Sequence, residues 1–548
     1  MTSRTPSRLV AAALILILAV AFAVRLWGIS FGLPHTEARP DERAIIDVTR
    51  EFLSGNFTPY FFDYPWLYMW VLSALYLGYS VWGIIVGSFH SLAEFVASWP
   101  TAWGPFFLIN RTLAAVIGAL TIVPVFWIGR RLWDDATGLV AALFFALAFL
   151  HVRDSHFGTT DTMMTLFIVL SVAYLVDGDI TGRRTRFALA GLMAGLAAAT
   201  KYNALVLPIS MVLSQALHVL ESPGRRLRAA VDERIQVYGA AFIAAFAIGV
   251  PFVVFDFARF RLSMEQLWES MMTGVGSIAA DVNGWAHHFN YSLRYGLGWP
   301  FLAAGLVGAA VVFLRTPKRA LVLFSFPLAY FLIAGSIRNL FFRYAIPLVP
   351  FLSLAAAVLV VYLARAVTSR TRGGVGHLAF ATTTAVLAAL VISPSAASVV
   401  QFDRLLSRTD NRVVVSQWFE EHVPPGSSVM QSGSIYGYAQ FDRKMRYKVW
   451  IWDRGRRRFL VDGRTPEGAP DWILVQESPL PSDTQSVVKD FLKEGYELAS
   501  FFKAVDLDQG WRLYDLQDAF YVPFAGFDGV KRPGPNFTLY KRAGTPML

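Results

Sequence analysis

The sequence predicts a mainly α, polytopic membrane protein of about eleven transmembrane helices, with a small extracytoplasmic α/β domain at its C-terminal end. Three observations predict it. Of 548 residues, 55% are hydrophobic and only 16% charged, whereas a soluble chain of this size carries about 25% charged residues. Apolar runs near the ~20 residues needed to span hydrocarbon recur along the chain. From about Asp403 onward the composition becomes that of a soluble domain.

The apolar runs begin at about residues 9, 108, 136, 162, 187, 204, 237, 300, 320, 345 and 376. The first, residues 9–24, follows Arg4 and Arg8, and Ala19-Val20-Ala21 resembles a signal-peptidase site. Ten further spans and the acidic loop that follows favour an uncleaved first helix. With the N-terminus inside, the cytoplasmic loops hold Arg130-Arg131, Arg183-Arg184-Thr185-Arg186, and the basic residues of 225–234, 315–319 and 365–372. Together with the N-terminal tail they carry 17 Lys and Arg, and the positive-inside rule sets the orientation.

Residues 66–89 are also long and apolar enough to cross. A crossing there inverts every later loop, so the segment reads as interfacial or re-entrant helices, rich in Trp and Tyr, along the outer surface. The odd number of crossings then places the C-terminal domain outside. The expected division is a membrane domain over residues 1–398, with a first external loop at 29–107, and an α/β domain over 399–548. In the latter, residues 417–422 read as helix, 428–430 and 472–476 as strands, 482–495 as a helix capped by Ser482, and 536–540 as a closing strand.

The net charge of +10 belongs to topology-setting loops rather than to a nucleic-acid surface, so no nucleic-acid partner is expected. The absence of cysteine excludes disulfides, iron–sulfur clusters and thiolate zinc sites. His287-His288 lacks the carboxylate spacing of a metal site. Neither metal nor cofactor is expected. The Asn-X-Ser/Thr triplets at Asn56, Asn290 and Asn536 read as chance.

That topology gathers charge on the outer face. The first external loop carries Arg39-Pro40-Asp41-Glu42 and Phe62-Asp63-Tyr64-Pro65. The second is the run from His151 to Asp161, with Arg153, Asp154 and His156. Lys201 stands alone between two apolar helices, and Arg338 and Arg343 precede Pro347. Charges near hydrocarbon are costly and need a reason. Carboxylates suit a general base that takes a proton from a hydroxyl nucleophile. Cations suit a phosphate leaving group whose charge grows as its bond breaks, and aromatic interfacial helices suit a lipid tail.

The motifs at 39–42, 153–161, 196–203 (LAAATKYN) and 341–350 (FFRYAIPLVP), in this order, resemble the membrane glycosyltransferases of the GT-C fold. The nearest likeness is the protein O-mannosyltransferase-like and aminoarabinose-transferase-like branch, over roughly residues 1–360. The resemblance implies a polyprenyl-phosphate-sugar donor and inverting displacement at the extracytoplasmic face of the plasma or inner membrane. It implies Asp41 as the catalytic first-loop carboxylate and Glu42 as its acidic neighbour. Asp161 matches the second-loop carboxylate and Lys201 a lysine near the donor phosphate; Arg343, Arg153, Asp154, His156 and Tyr64 complete the expected substrate-binding set. Two departures stand out. Arg39 occupies a place where the family often has His, and nothing resembles the β-trefoil domains of protein O-mannosyltransferases, so the acceptor (protein, lipid or glycan) is left open.

Structural readings compete at each position. Asp41 and Glu42 also suit a helix N-terminus, Asp161 an N-cap, Arg153 and Asp154 a surface ion pair, and His156 an interfacial polar residue. Lys201 and Arg343 also suit snorkelling to headgroups. For the whole chain, a lipid-glycan flippase or a non-catalytic assembly protein are the alternatives to an enzyme; a flippase calls for internal repeats and midplane charges.

Overall fold

The computed structural model describes residues 7–57, 61–99, 101–222, 226–274, 282–371, 373–441, 446–453, 455–456, 458–478, 480, 486–493, 495–508 and 510–548. They form two compact units: residues 1–26, 45–96 and 109–400 in one, and residues 27–44, 97–108 and 401–548 in the other.

The first unit is helical. Each predicted span corresponds to a helix. Among the described residues, eight helices are long and apolar enough to cross a membrane, ten if each of two bent pairs counts as one span. Arg184–Thr200 and Glu233–Gly249, at 17 residues each, sit at the short end of what spans hydrocarbon. The bent pairs are Asp135–Ala146 with Phe149–Ser155, turning 56°, and Gly284–Leu297 with Trp299–Arg315, turning 112°. The sharper turn falls at Gly298, whose φ of 83° is open to glycine at little steric cost.

Residues expected as interfacial or re-entrant pieces form one uninterrupted 19-residue helix, Leu67–Ile85. It buries Tyr68, Met69, Leu72, Tyr76, Ser80 and Gly83 and exposes Leu75, Val81, Trp82 and Ile85. No break for re-entry exists in it.

Small residues set the helix spacing. A Cβ on Gly308 would stand 1.9 Å from the Ala355 carbonyl oxygen, and one on Gly191 2.1 Å from that of Tyr238. The helix pairs Trp299–Arg315 with Val349–Thr368, and Arg184–Thr200 with Glu233–Gly249, therefore meet backbone to backbone. This is how membrane helices associate where the hydrophobic effect gives no drive between them.

The second unit is built on a six-stranded mixed sheet: β1 (Ser428–Gln431), β2 (Lys448–Asp453), β3 (Arg458–Leu460), β4 (Trp472–Glu477), β5 (Tyr496–Phe502) and β6 (Asn536–Arg542), in the order β3-β2-β1-β4-β6-β5. β1 runs parallel to β2 and β4; the other pairings are antiparallel. Alternation along β4 sends Trp472 and Leu474 to a core with Phe419, Val429 and Leu539, and Ile473 to another with Met430, Trp450 and Val488. The strand expected to close the sheet, β6, lies inside it. The helix expected at 417–422 begins earlier, at Asn411. Asp410 caps it by accepting from the Arg412 amide at 2.9 Å, and its carboxylate also binds the Arg412 side chain at 2.9 and 2.7 Å. The helix expected over 482–495 is described as Ser486–Leu492, with Ser482 outside the described residues and β5 starting at Tyr496.

Candidate active site

In the helical unit, the segments singled out in the sequence converge on a buried ion pair. Asp161 is the first residue of the helix Asp161–Thr181. The expected cap is not made. Thr160 is the capping residue and no side chain caps the helix, because the Asp161 carboxylate instead accepts from Lys201 Nζ at 2.7 Å. Lys201 ends the helix Arg184–Thr200 in an extended conformation. Its side chain is 6% exposed and that of Asp161 2%, so the ammonium does not snorkel. The rings of Tyr64 and Tyr344 stand 5.7 and 5.5 Å from Nζ, within cation–π range. Arg343, adjacent to Tyr344, is also buried rather than turned to headgroups, with its guanidinium 4.1 Å over Phe341.

The segment leading to Asp161 is locked from several sides. Arg153 and Asp154 pair at 2.9 Å, but at 1% and 0% exposure they are interior, not a surface pair. His156, also buried, donates from Nδ1 to the Val152 carbonyl at 2.9 Å. Arg25, fully buried, donates to Ser155 Oγ at 3.2 Å and to the Ala146 carbonyl at 3.0 Å, and meets His151 Nδ1 at 3.1 Å. Asn110 donates to the Gly158 carbonyl at 2.9 Å and accepts from the Tyr68 hydroxyl at 2.8 Å. Arg25, Tyr68 and Asn110 had drawn no attention in the sequence, since they sit in or beside apolar runs. A lone arginine or asparagine there was itself the signal.

The helix Asp161–Thr181 also separates two kinds of charge. Asp161 starts it, while near its other end Asp177 binds Arg131 at 2.9 Å and Arg186 at 2.8 Å, and Asp179 binds Arg234. At 1.5 Å per residue the two ends lie ~24 Å apart. The loop arginines thus gather at the opposite end from the Asp161–Lys201 pair.

In the second unit, Pro40 opens the helix Pro40–Leu53, with Asp41 and Glu42 in its first turn. The macrodipole favours both there. Glu42 is fully enclosed, whereas the Asp41 side chain is 31% exposed. Of the two, Asp41 is the more open carboxylate. Arg39 Nη2 lies 3.8 Å from Asp41 Oδ2. Among the described residues, no group of three or more His, Asp or Glu side chains could hold a metal ion.

Residues 108–255 match the family model for dolichyl-phosphate-mannose-protein mannosyltransferases. No curated protein matches the chain by sequence. Among solved structures, ArnT from Cupriavidus metallidurans bound to undecaprenyl phosphate superposes with a TM-score of 0.53 at 13% identity, over 99% of both chains. The chain has the GT-C fold. The expected fold is thus borne out, a multi-pass helical scaffold with a small C-terminal sheet domain, and the family model covers two of the four motifs, at 153–161 and 196–203. The archaeal oligosaccharyltransferase AglB from Archaeoglobus fulgidus, in complex with an inhibitory peptide and a dolichol-phosphate, gives a TM-score of 0.50 at 12% identity. That match covers 81% of this chain and 64% of AglB, so the chain spans less than two thirds of the oligosaccharyltransferase.

Proposed function

We propose that the chain is a membrane glycosyltransferase that moves a sugar from a polyprenyl-phosphate donor to an acceptor at the extracytoplasmic face, by inverting displacement. The buried Asp161–Lys201 pair, flanked by Tyr64 and Tyr344 and with Arg343 beside Tyr344 in the chain, carries the reading. A cation held within protein at one end of the helices, with hydrocarbon-spanning segments around it, is suited to a lipid-linked phosphate. The relatives of like fold that were solved with undecaprenyl phosphate and dolichol-phosphate support the same ligand class.

In the proposed reaction Asp41 accepts a proton from the acceptor nucleophile, which attacks the anomeric carbon on the face opposite the phosphate. The bond from that carbon to the phosphate oxygen breaks through an oxocarbenium-like state. Polyprenyl phosphate leaves with the bonding electrons, and Lys201 and Arg343 stabilise the charge it gains. Asp161 holds Lys201 in place between turnovers, and the phosphate replaces it as partner on binding. Arg153, Asp154 and His156 shape the segment that presents Asp161. In this reading the N-terminus is cytoplasmic and the C-terminal domain extracytoplasmic, an orientation the basic loops support.

The test follows conversion of polyprenyl-phosphate sugars to polyprenyl phosphate by mass spectrometry, in membranes loaded with a total polyprenyl-phosphate-sugar extract. Asp41→Asn at normal expression is expected to lower turnover ~10²-fold or more. Turnover near that of the unaltered chain would exclude Asp41 as the base.

A further inference from the structure

We propose that the C-terminal domain is the positioning element for Asp41, acting through a buried Asp518–Arg39 pair. The inference rests on the reading of Asp41 as the reacting carboxylate. Residues 27–44 and 401–548 belong to one compact unit, and the short segment is pinned to the domain at several points. The rings of Phe31 and Phe520 meet edge to face at 5.7 Å. His35 uses both nitrogens, accepting from the Glu37 amide at 3.1 Å and donating from Nε2 to the Tyr438 carbonyl at 2.8 Å. The Thr36 amide donates to Gln440 Oε1 at 3.1 Å.

Arg39 completes the series. Its guanidinium is 1% exposed, donates from Nη1 to the Asp518 carbonyl at 3.0 Å, and places Nη2 3.0 Å from Asp518 Oδ1 and 3.8 Å from Asp41 Oδ2. One cation thus lies between a fully enclosed carboxylate of the domain and the partly open carboxylate of the loop. A buried guanidinium without a counter-charge is strongly unfavourable. Asp518 supplies a counter-charge to the cation beside Asp41. Arg39 in turn stands 3.8 Å from the Asp41 carboxylate and restrains it by charge attraction. A general base must be aimed, and the domain supplies that condition from residues far along the chain.

The experiment applies the same mass-spectrometric assay to the full chain carrying Asp518→Asn, Gln440→Ala or Asp41→Asn. Asp518→Asn keeps an acceptor for the guanidinium but removes its counter-charge. We expect kcat to fall about tenfold with donor KM within about twofold. The acidic limb of the pH profile should move, because the charge beside Arg39 and Asp41 changes. A merely structural role would leave that limb in place. Gln440→Ala, which frees the Thr36 amide, should speed hydrogen exchange over residues 35–41 and lower kcat about threefold; it carries the test if Asp518→Asn does not fold. Inactive Asp41→Asn beside unchanged kcat in the other two variants overturns the positioning role and leaves the base reading intact. Active Asp41→Asn overturns the base reading itself.

Discussion

Replacing Lys201 separates a structural role from a ligand-binding one, because the structure makes the two effects differ in sign across a pair of variants. The Lys201 and Asp161 side chains are 6% and 2% exposed and 2.7 Å apart. Lys201→Met keeps most of the stem and leaves Asp161 as an uncompensated buried charge, which costs about 3–5 kcal/mol. It also removes a charge-assisted contact to the donor phosphate, worth about 1.5–3 kcal/mol, or roughly 10- to 150-fold in Kd. Adding Asp161→Leu replaces the ion pair by apolar atoms and should return stability to within about 2 kcal/mol of the parent, with no recovery of donor affinity. Thermal melting in detergent with and without undecaprenyl phosphate measures both. At a ligand concentration 100 times Kd the parent gains about 2.7 kcal/mol, and the double variant should gain almost nothing. Full ligand stabilisation in the double variant would refute the phosphate role and reduce Lys201 to a partner for Asp161.

Three further outcomes are expected. Gly308→Ala drives a Cβ toward the Ala355 carbonyl oxygen, 1.9 Å away, and should cost about 1–3 kcal/mol. Gly239→Ala, with nothing within 4 Å, should be neutral or stabilising by up to about 1 kcal/mol, and detergent melting distinguishes the two. Ser91→Cys, at an exposed position of a chain without cysteine, should react with a membrane-impermeant thiol reagent from outside; labelling only after permeabilisation would invert the proposed topology. Turnover should survive exhaustive chelation, since Asp154 and Asp161 are each bound to a buried cation; loss with chelator and restoration by Mg²⁺ or Mn²⁺ would overturn this.

Hydrophobic periodicity is a local signal, and what it determines was legible. Each apolar run became a helix, and β1, β4 and β6 were readable from the apolar residues they bury, Val429 and Met430, Trp472 to Leu474, and Phe537 and Leu539. β5 was not, since Leu498 and Phe501 are exposed on an edge strand and the preceding residues looked helical. The helix Asn411–His422 was recognised only in its second half, because its start depends on Asp410 and Arg412 binding each other. At the site, Asp161 and Lys201 stood out as charges at helix ends, but their mutual bond across 40 positions leaves no trace in spacing. Arg39 stood out as a departure from the resembling family, yet nothing nearby revealed its counter-charge at Asp518.

The separation between Arg39 and Asp518, 479 positions, has a consequence for biosynthesis. The loop bearing Asp41 leaves the ribosome 479 residues before the acid that pairs with its arginine. At about 5–20 residues per second the interval is roughly half a minute to a minute and a half. Throughout it, the membrane helices can insert and pack while the loop lacks its anchor. Assembly of this ion pair is therefore timed by synthesis of residue 518, and a polypeptide released before it inserts without the Arg39–Asp518 contact.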